Sequence, residues 1–261
     1  MNTPNEVHAL VSTMGVKKYH TPLPRLILLG LLAGIYIAMG GLLSTLASAG
    51  MSGLGAENPI LPRLLAGATF PLGLMLVVLV GAELFTGNTA YLMPATFRGD
   101  IPPTYFLRNW FVVYFANFAG ALLFDYFIVY QTGVLMPDEF KAYILRVAEA
   151  KVSQPWWQVF WRGVGANWLV CLAVWLGLSS RTMLGRLVGI WWPVMAFVVM
   201  GFEHSIANMF YLPSAMLYGS EVGWTAFLID NLVPATLGNI VGGALLVGCA
   251  YAYIYGAPKN Q

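Results

Sequence analysis

The sequence predicts an all-α integral membrane protein whose six transmembrane spans form two inverted three-span repeats, two of the spans being broken. Three observations carry this. The 261 residues are 59% hydrophobic and only 9% charged, with a mean hydropathy of +0.71, whereas soluble domains carry about 25% charged residues. Apolar runs of membrane-spanning length recur along the chain. A short polar element inside one such run, Gly81-Ala82-Glu83, returns inside another as Gly201-Phe202-Glu203. A net charge of +2 gives no basic surface for nucleic acid.

Residues 1–24 are polar, carry Pro4, Pro22 and Pro24, and hold neither an apolar core nor a small-residue cleavage site. They read as a cytoplasmic N-terminal segment, and the first span as an uncleaved anchor. A single transmembrane channel domain is expected over 25–255. A spanning helix needs about 20 largely apolar residues, and Arg25–Ala49 supplies them. A turn-rich loop with Gly53, Gly55 and Asn58-Pro59 covers 50–62. Residues 63–97 read as one span broken near Glu83–Asn88, and 105–131 as the third. Residues 132–156 are the longest polar segment, holding Asp138, Glu139, Lys141, Arg146, Glu149 and Lys151; they read as a short amphipathic surface helix linking the repeats. Spans follow at 157–178, at 187–217 with a break around Gly201–Ser205, and at 231–255. A short polar tail occupies 256–261.

Six spans put both termini on one side. With the N-terminus inside, the inner basic residues are Lys17, Lys18, Arg25, Arg98, Arg108, Arg181, Arg186 and Lys259. The outer ones are Arg63, Lys141, Arg146, Lys151 and Arg162. The excess favours cytoplasmic termini.

The repeat extends beyond its first element. Asn88 matches Asn208 at an offset of 120 residues. Asn109, Asn117 and Gly120-Ala121-Leu122 match Asn231, Asn239 and Gly242-Gly243-Ala244 at 122. Three spans is an odd number, so the halves face opposite ways. Inverted halves, each with a broken helix, are a transporter and channel architecture with its site near the midplane.

The candidate site centres on His204, the one histidine within a span. A buried histidine can simply satisfy a neighbour, but an ionisable group in a span is a functional-site hypothesis. If its segment is helical, Asn208 shares its face at i+4 and Phe197 lies on the same side. Glu203 is then rotated about 100° away and cannot face the same lumen. It reads as structural support for the broken helix, or as an indirect orienter of His204. Glu83 takes the matching reading. Thr86 sits in the first break, where its hydroxyl could bond a passing anion or His204, or cap a half-helix. Asn167 follows small residues that permit close helix approach, and could make an interhelical hydrogen bond. Phe70, Leu74 and Phe197 are ordinary core residues that could narrow a pore. Lys151 alone reads as a surface lysine. Trp156, Trp157, Trp161, Trp191 and Trp192 suit an interfacial belt.

Cys171 and Cys249 lie in apolar runs without metal-ligand neighbours, so no metal and no cofactor are expected. No Gly-x-Ser-x-Gly, Walker-type loop, His-Glu-x-x-His or Cys-x-x-Cys is present, which argues against an enzyme. The aquaporin Asn-Pro-Ala pair is missing; Asn58-Pro59-Ile60 occurs once, in a loop.

At Gly201-Phe202-Glu203-His204-Ser205-Ile206-Ala207-Asn208-Met209 the chain resembles the formate/nitrite transporter family. Gly81-Ala82-Glu83-Leu84-Phe85-Thr86-Gly87-Asn88 and Asn167-Trp168-Leu169-Val170-Cys171-Leu172-Ala173 look like two further signatures. The resemblance runs from about Lys17 onward. It implies an aquaporin-like protomer in a homopentamer with one pore per subunit, in a cell membrane, by expectation a bacterial inner membrane. It implies small monovalent weak-acid anions as substrates: formate first, nitrite or hydrosulfide otherwise. By this resemblance His204 is the central pore histidine, Thr86 the loop threonine opposite it, and Asn208 and Asn167 pore-facing amides. Phe70, Leu74 and Phe197 become constriction residues and Lys151 a vestibule lysine. A proton is the expected partner of the anion, beside the lipid bilayer. The rival of another class is a membrane sensor that binds an anion without passing it.

Overall fold

The computed structural model describes residues 1–256, all of whose regular structure is helical. The rest of the expected tail, with Lys259, lies outside the described residues. Helix α1 (Pro4–Tyr19) opens on a capping box in which Thr3 and Glu6 satisfy each other's backbone N–H, with Pro4 at the first position. After Pro22 the chain enters α2 (Leu23–Ala49). A helical turn over Ser52–Glu57 leads to α3 (Ile60–Gly81), α4 (Phe85–Phe97) and α5 (Thr104–Tyr130). The second half is α6 (Asp138–Val152), α7 (Trp156–Ser179), α8 (Met183–Val199), α9 (Ser205–Leu217) and α10 (Ala226–Tyr255).

Among the described residues five helices are long and apolar enough to cross a membrane: α2, α3, α5, α7 and α10. Helix α8 is apolar but 17 residues long. Helices α3 and α10 begin at Ile60 and Ala226, ahead of the expected 63 and 231, because the apolar run in each case starts before its first charged neighbour. With its apolar helices the chain is a multi-pass membrane protein.

Both breaks rest on glycine. Helix α3 ends in a π-helical turn over Leu76–Gly81, and Gly81 then takes φ +97°. Gly201, after α8, takes φ +71°. A side chain is strained in that left-handed region and glycine is not. Extended residues follow in each case, Ala82–Leu84 and Phe202–His204, before α4 and α9 start.

The two surface helices turn out to be equivalent. Helix α1 precedes Pro22 and α2 as α6 precedes Pro155 and α7. Segments 1–24 and 132–156 are thus the first elements of the two halves. Helix α1 docks through Asn2, whose backbone N–H and amide donate to Ser179 O and Leu178 O at 2.7 and 2.9 Å. Helix α6 buries Ile144 and Ala148. Within each half the first and last spans approach closely over glycine. A Cβ at Gly30 would meet that of Ala116 at 2.6 Å, and one at Gly163 would meet Ala235 O at 2.7 Å. The absence of a side chain there is what lets the backbones pack.

Candidate functional site

The breaks expose backbone groups at a depth where water cannot satisfy them. One asparagine from the last span of each half does so. Asn117 on α5 donates to Gly30 O and Glu83 O at 2.8 and 2.9 Å and accepts from Phe85 N–H at 2.9 Å. Asn239 on α10 donates to Gly163 O and Glu203 O at 2.8 and 2.9 Å and accepts from Ser205 N–H at 2.8 Å. Glu83 N–H donates to Leu29 O and Glu203 N–H to Arg162 O, at 3.1 and 3.3 Å. The inverted halves therefore share one bonding plan, atom for atom.

Each break also fixes an ion pair. Lys18 lies 2.8 Å from both oxygens of Glu83, and Lys151 lies 3.1 and 2.9 Å from those of Glu203. Asn88 donates to Glu83 and to Asn109 Oδ1 at 2.7 and 2.9 Å. Asn208 donates to Glu203 and to Asn231 Oδ1 at 2.7 and 2.6 Å. Lys18 and Lys151 stand 4.9 and 5.5 Å over the rings of Tyr91 and Tyr211. Sequence reasoning assigned no role to Lys18. The signal was present: Lys18 precedes Pro22 by the same four residues that separate Lys151 from Pro155.

The two ion pairs line two cavities. One, of about 160 Å³, is bordered by Ser44, Arg63, Phe70, Lys151, Phe197, Glu203, His204 and Asn208 among others. The other, of about 760 Å³, is bordered by Lys17, Lys18, Arg25, Leu74, Glu83 and Asn88 among others. Arg25 and Ser44 are 19 residues apart on α2, a rise of about 28 Å at 1.5 Å per residue. The cavities therefore lie toward opposite ends of that helix. Phe70 and Phe197 meet edge to face at 5.8 Å on the Lys151 side, and Leu74 faces the Lys18 side. All three are buried.

His204 borders the smaller cavity. The helical reading of its segment is corrected: Gly201 turns the chain, and His204 is the N-cap of α9. Two consequences follow. Glu203 and His204 border the same cavity, so the expectation that they cannot face one lumen does not hold. Asn208 lies one turn into α9, and its amide serves Glu203 and Asn231, not His204. The His204 ring lies 5.9 Å from that of Phe197, nearly parallel to it. Its Nδ1 accepts from Ala207 N–H at 3.1 Å. A neutral ring with Nδ1 as acceptor carries its proton on Nε2. Nε2 lies 3.0 Å from Thr86 Oγ1, so it donates to the threonine across the two halves. That leaves the Thr86 O–H free to donate.

Asn167 braces this arrangement. Its amide donates to Thr86 O, Thr89 Oγ1 and Asn239 O at 3.2, 3.0 and 2.6 Å. It is fully buried and borders neither cavity. Its contacts are those of an interhelical hydrogen-bonding residue.

A sequence profile described as "Formate/nitrite transporter" matches residues 5–253. The chain is 42% identical to a "Probable formate transporter" of Methanothermobacter thermautotrophicus over 97% of each chain. It is 36% identical to "Formate channel FocA" of Escherichia coli (strain K12), over 87% of this chain and 85% of that one. Among solved structures it resembles an "FNT family ion channel" with TM-score 0.83 and 28% identity, covering 96% of this chain and 98% of the other. It resembles a "Pentameric formate channel with formate bound" with TM-score 0.78 and 33% identity, covering 89% and 97%. With that profile matching over residues 5–253 and those relatives, the chain belongs to the formate/nitrite transporter family, whose members are channels and transporters and not enzymes.

Proposed function

We propose that this chain conducts small monovalent weak-acid anions, formate foremost, across a cell membrane, and that passage is coupled to a proton at His204. The supporting observation is the His204–Thr86 contact beside a cavity that Phe70 and Phe197 also border, with Leu74 on a second charged cavity. A bare anion entering so apolar a constriction faces a desolvation cost on the order of tens of kcal/mol in the Born limit. A neutral acid faces far less. The free Thr86 O–H offers the anion a donor at the narrowest point. Charging His204 at Nδ1 breaks the Ala207 cap bond, so the ring gains a proton most readily when an anion beside it compensates the charge. Anion and proton then arrive together. Phe70, Phe197 and Leu74 exclude water and larger solutes. Lys18 and Lys151, each held by its glutamate, present donors at the two approaches.

The crossing of the membrane takes six spans in this reading, α3–α4 and α8–α9 each counting as one broken span. Helix α1 packs on the end of α7, with Arg181 donating to Asn2 Oδ1 at 2.7 Å. The N-terminus and the α7–α8 loop thus share the basic, cytoplasmic side. The likeness to a pentameric formate channel supports a homopentamer.

In proteoliposomes, formate flux should rise as the donor side is acidified, and His204→Phe should abolish that dependence. The same pH profile in the variant would overturn proton coupling at His204. Nitrite and hydrosulfide competing in the same assay rank the substrates. Saturable binding without flux would mark a sensor instead.

A further inference from the structure

We propose that Arg63, and not Lys151, is the group that captures anions in the outer vestibule; for formate as the ligand, this rests on the channel reading above. Lys151 and Glu203 are in contact at 2.9 Å, with side chains 15% and 3% exposed. At long range the pair is a dipole without net charge. The remaining acceptor capacity of Glu203 goes to Asn208 and Asn231 at 2.7 and 3.3 Å. Glu203 is the one carboxylate bordering this cavity, and Arg63 is its second cation. Arg63 is exposed and makes no ion pair among the described residues. The vestibule's uncompensated charge is therefore the guanidinium.

Its position suits capture. Arg63, Ala66 and Phe70 follow one stripe of α3 at i, i+3 and i+7, and all three border the cavity. The rise per residue puts the Arg63 backbone about 10 Å above Phe70. An anion held at Arg63 is thus still hydrated and has one step left to the constriction. A planar guanidinium offers two parallel N–H donors to a two-oxygen edge, which formate and nitrite both present. The opposite vestibule follows the same plan: beyond the compensated Lys18–Glu83 pair it is bordered by Lys17 and Arg25. Charge in a low-dielectric concavity raises local anion concentration, and salt screens it within about 10 Å at 0.1 M.

The test separates electrostatics from transport. A cysteine at Val147, which borders the same cavity, is modified with an anionic and a neutral methanethiosulfonate. The single-cysteine background replaces Cys171 and Cys249 with serine. The anionic-to-neutral rate ratio should fall about three- to tenfold in Arg63→Gln at low salt, be retained in Arg63→Lys, and converge on the wild-type ratio at 1 M salt. In proteoliposomes Arg63→Gln should raise the formate KM by a similar factor from the Arg63 side only, with maximal flux unchanged. An unchanged ratio, or an equal loss for both reagents, overturns the proposal. A ratio that falls as expected in a protein that moves no formate upholds capture by Arg63 and overturns the channel reading.

Discussion

Asn117 and Asn239 each close a helix break with a single side chain. Three bonds from one amide hold the carbonyl of a first-span glycine, the carbonyl of a break glutamate and the first N–H of a half-helix. Leaving a buried polar group unsatisfied costs about 1–3 kcal/mol, and each replacement orphans two, the break-glutamate carbonyl and the first N–H of the half-helix, since the glycine carbonyl keeps its partner within its helix. Asn239→Leu should therefore destabilise the protein by at least about 2 kcal/mol, read as a lower midpoint in detergent thermal unfolding. A shift below 1 kcal/mol would show that water already serves the break. Both asparagines were legible as members of the repeat, but their role was not, because sequence matching shows recurrence and not partners. Thr86 was legible as a break residue with two open uses. The distance of 3.0 Å to His204 Nε2 brings it to the histidine, and it does not cap α4, whose N-cap is Leu84 without a side-chain cap bond.

Helix α1 is the element whose form the composition of 1–24 concealed. It lies flat on the bundle, with Gly15 against Tyr91 O and its N-terminal Asn2 bonded to the end of α7. His8 is buried on its inner face, and neither ring nitrogen has a partner among the described residues. Burial pushes its titration below the ordinary value of 6.5, and nearby Arg98 acts in the same sense. The docked state thus favours neutral His8, and the undocked state binds the proton more readily. Docking should be at full strength above pH 6.5 and weaken as pH falls toward the lowered value. Limited proteolysis of the N-terminal segment checks this: cleavage should speed up on acidification, and His8→Leu should flatten the slope. Equal slopes in both proteins would remove His8 from the account. Helix α6 was anticipated as amphipathic from its charges. Its equivalence to α1 was not, because the two share almost no residues beyond the lysine and proline that end them.

The whole molecule is two halves with one scaffold and different contents. Lys18–Glu83–Asn88–Asn109 and Lys151–Glu203–Asn208–Asn231 superimpose in role. His204 matches Leu84, Thr86 matches Ile206, and Asn167 matches Gly34, so the central pair and its brace break the symmetry. Removing one partner of a buried ion pair costs about 3–5 kcal/mol, whereas removing both is far milder. Glu203→Gln should lower the unfolding midpoint accordingly, and adding Lys151→Met should recover most of the loss. Additive losses in the double variant would mean that the pair contributes nothing as a pair. The sequence by itself determined the solvent, the broken spans, the inverted repeat and the histidine, since each leaves a local mark: apolar length, an interrupting glycine, a recurring triplet, an ionisable group in a span. Only the tertiary structure decided that Glu203 and His204 share a cavity, that Asn208 and Asn167 brace neighbours, and that Lys18 mirrors Lys151. Those facts depend on which way an unwound backbone turns a side chain, and that direction is set by contacts between segments more than a hundred residues apart.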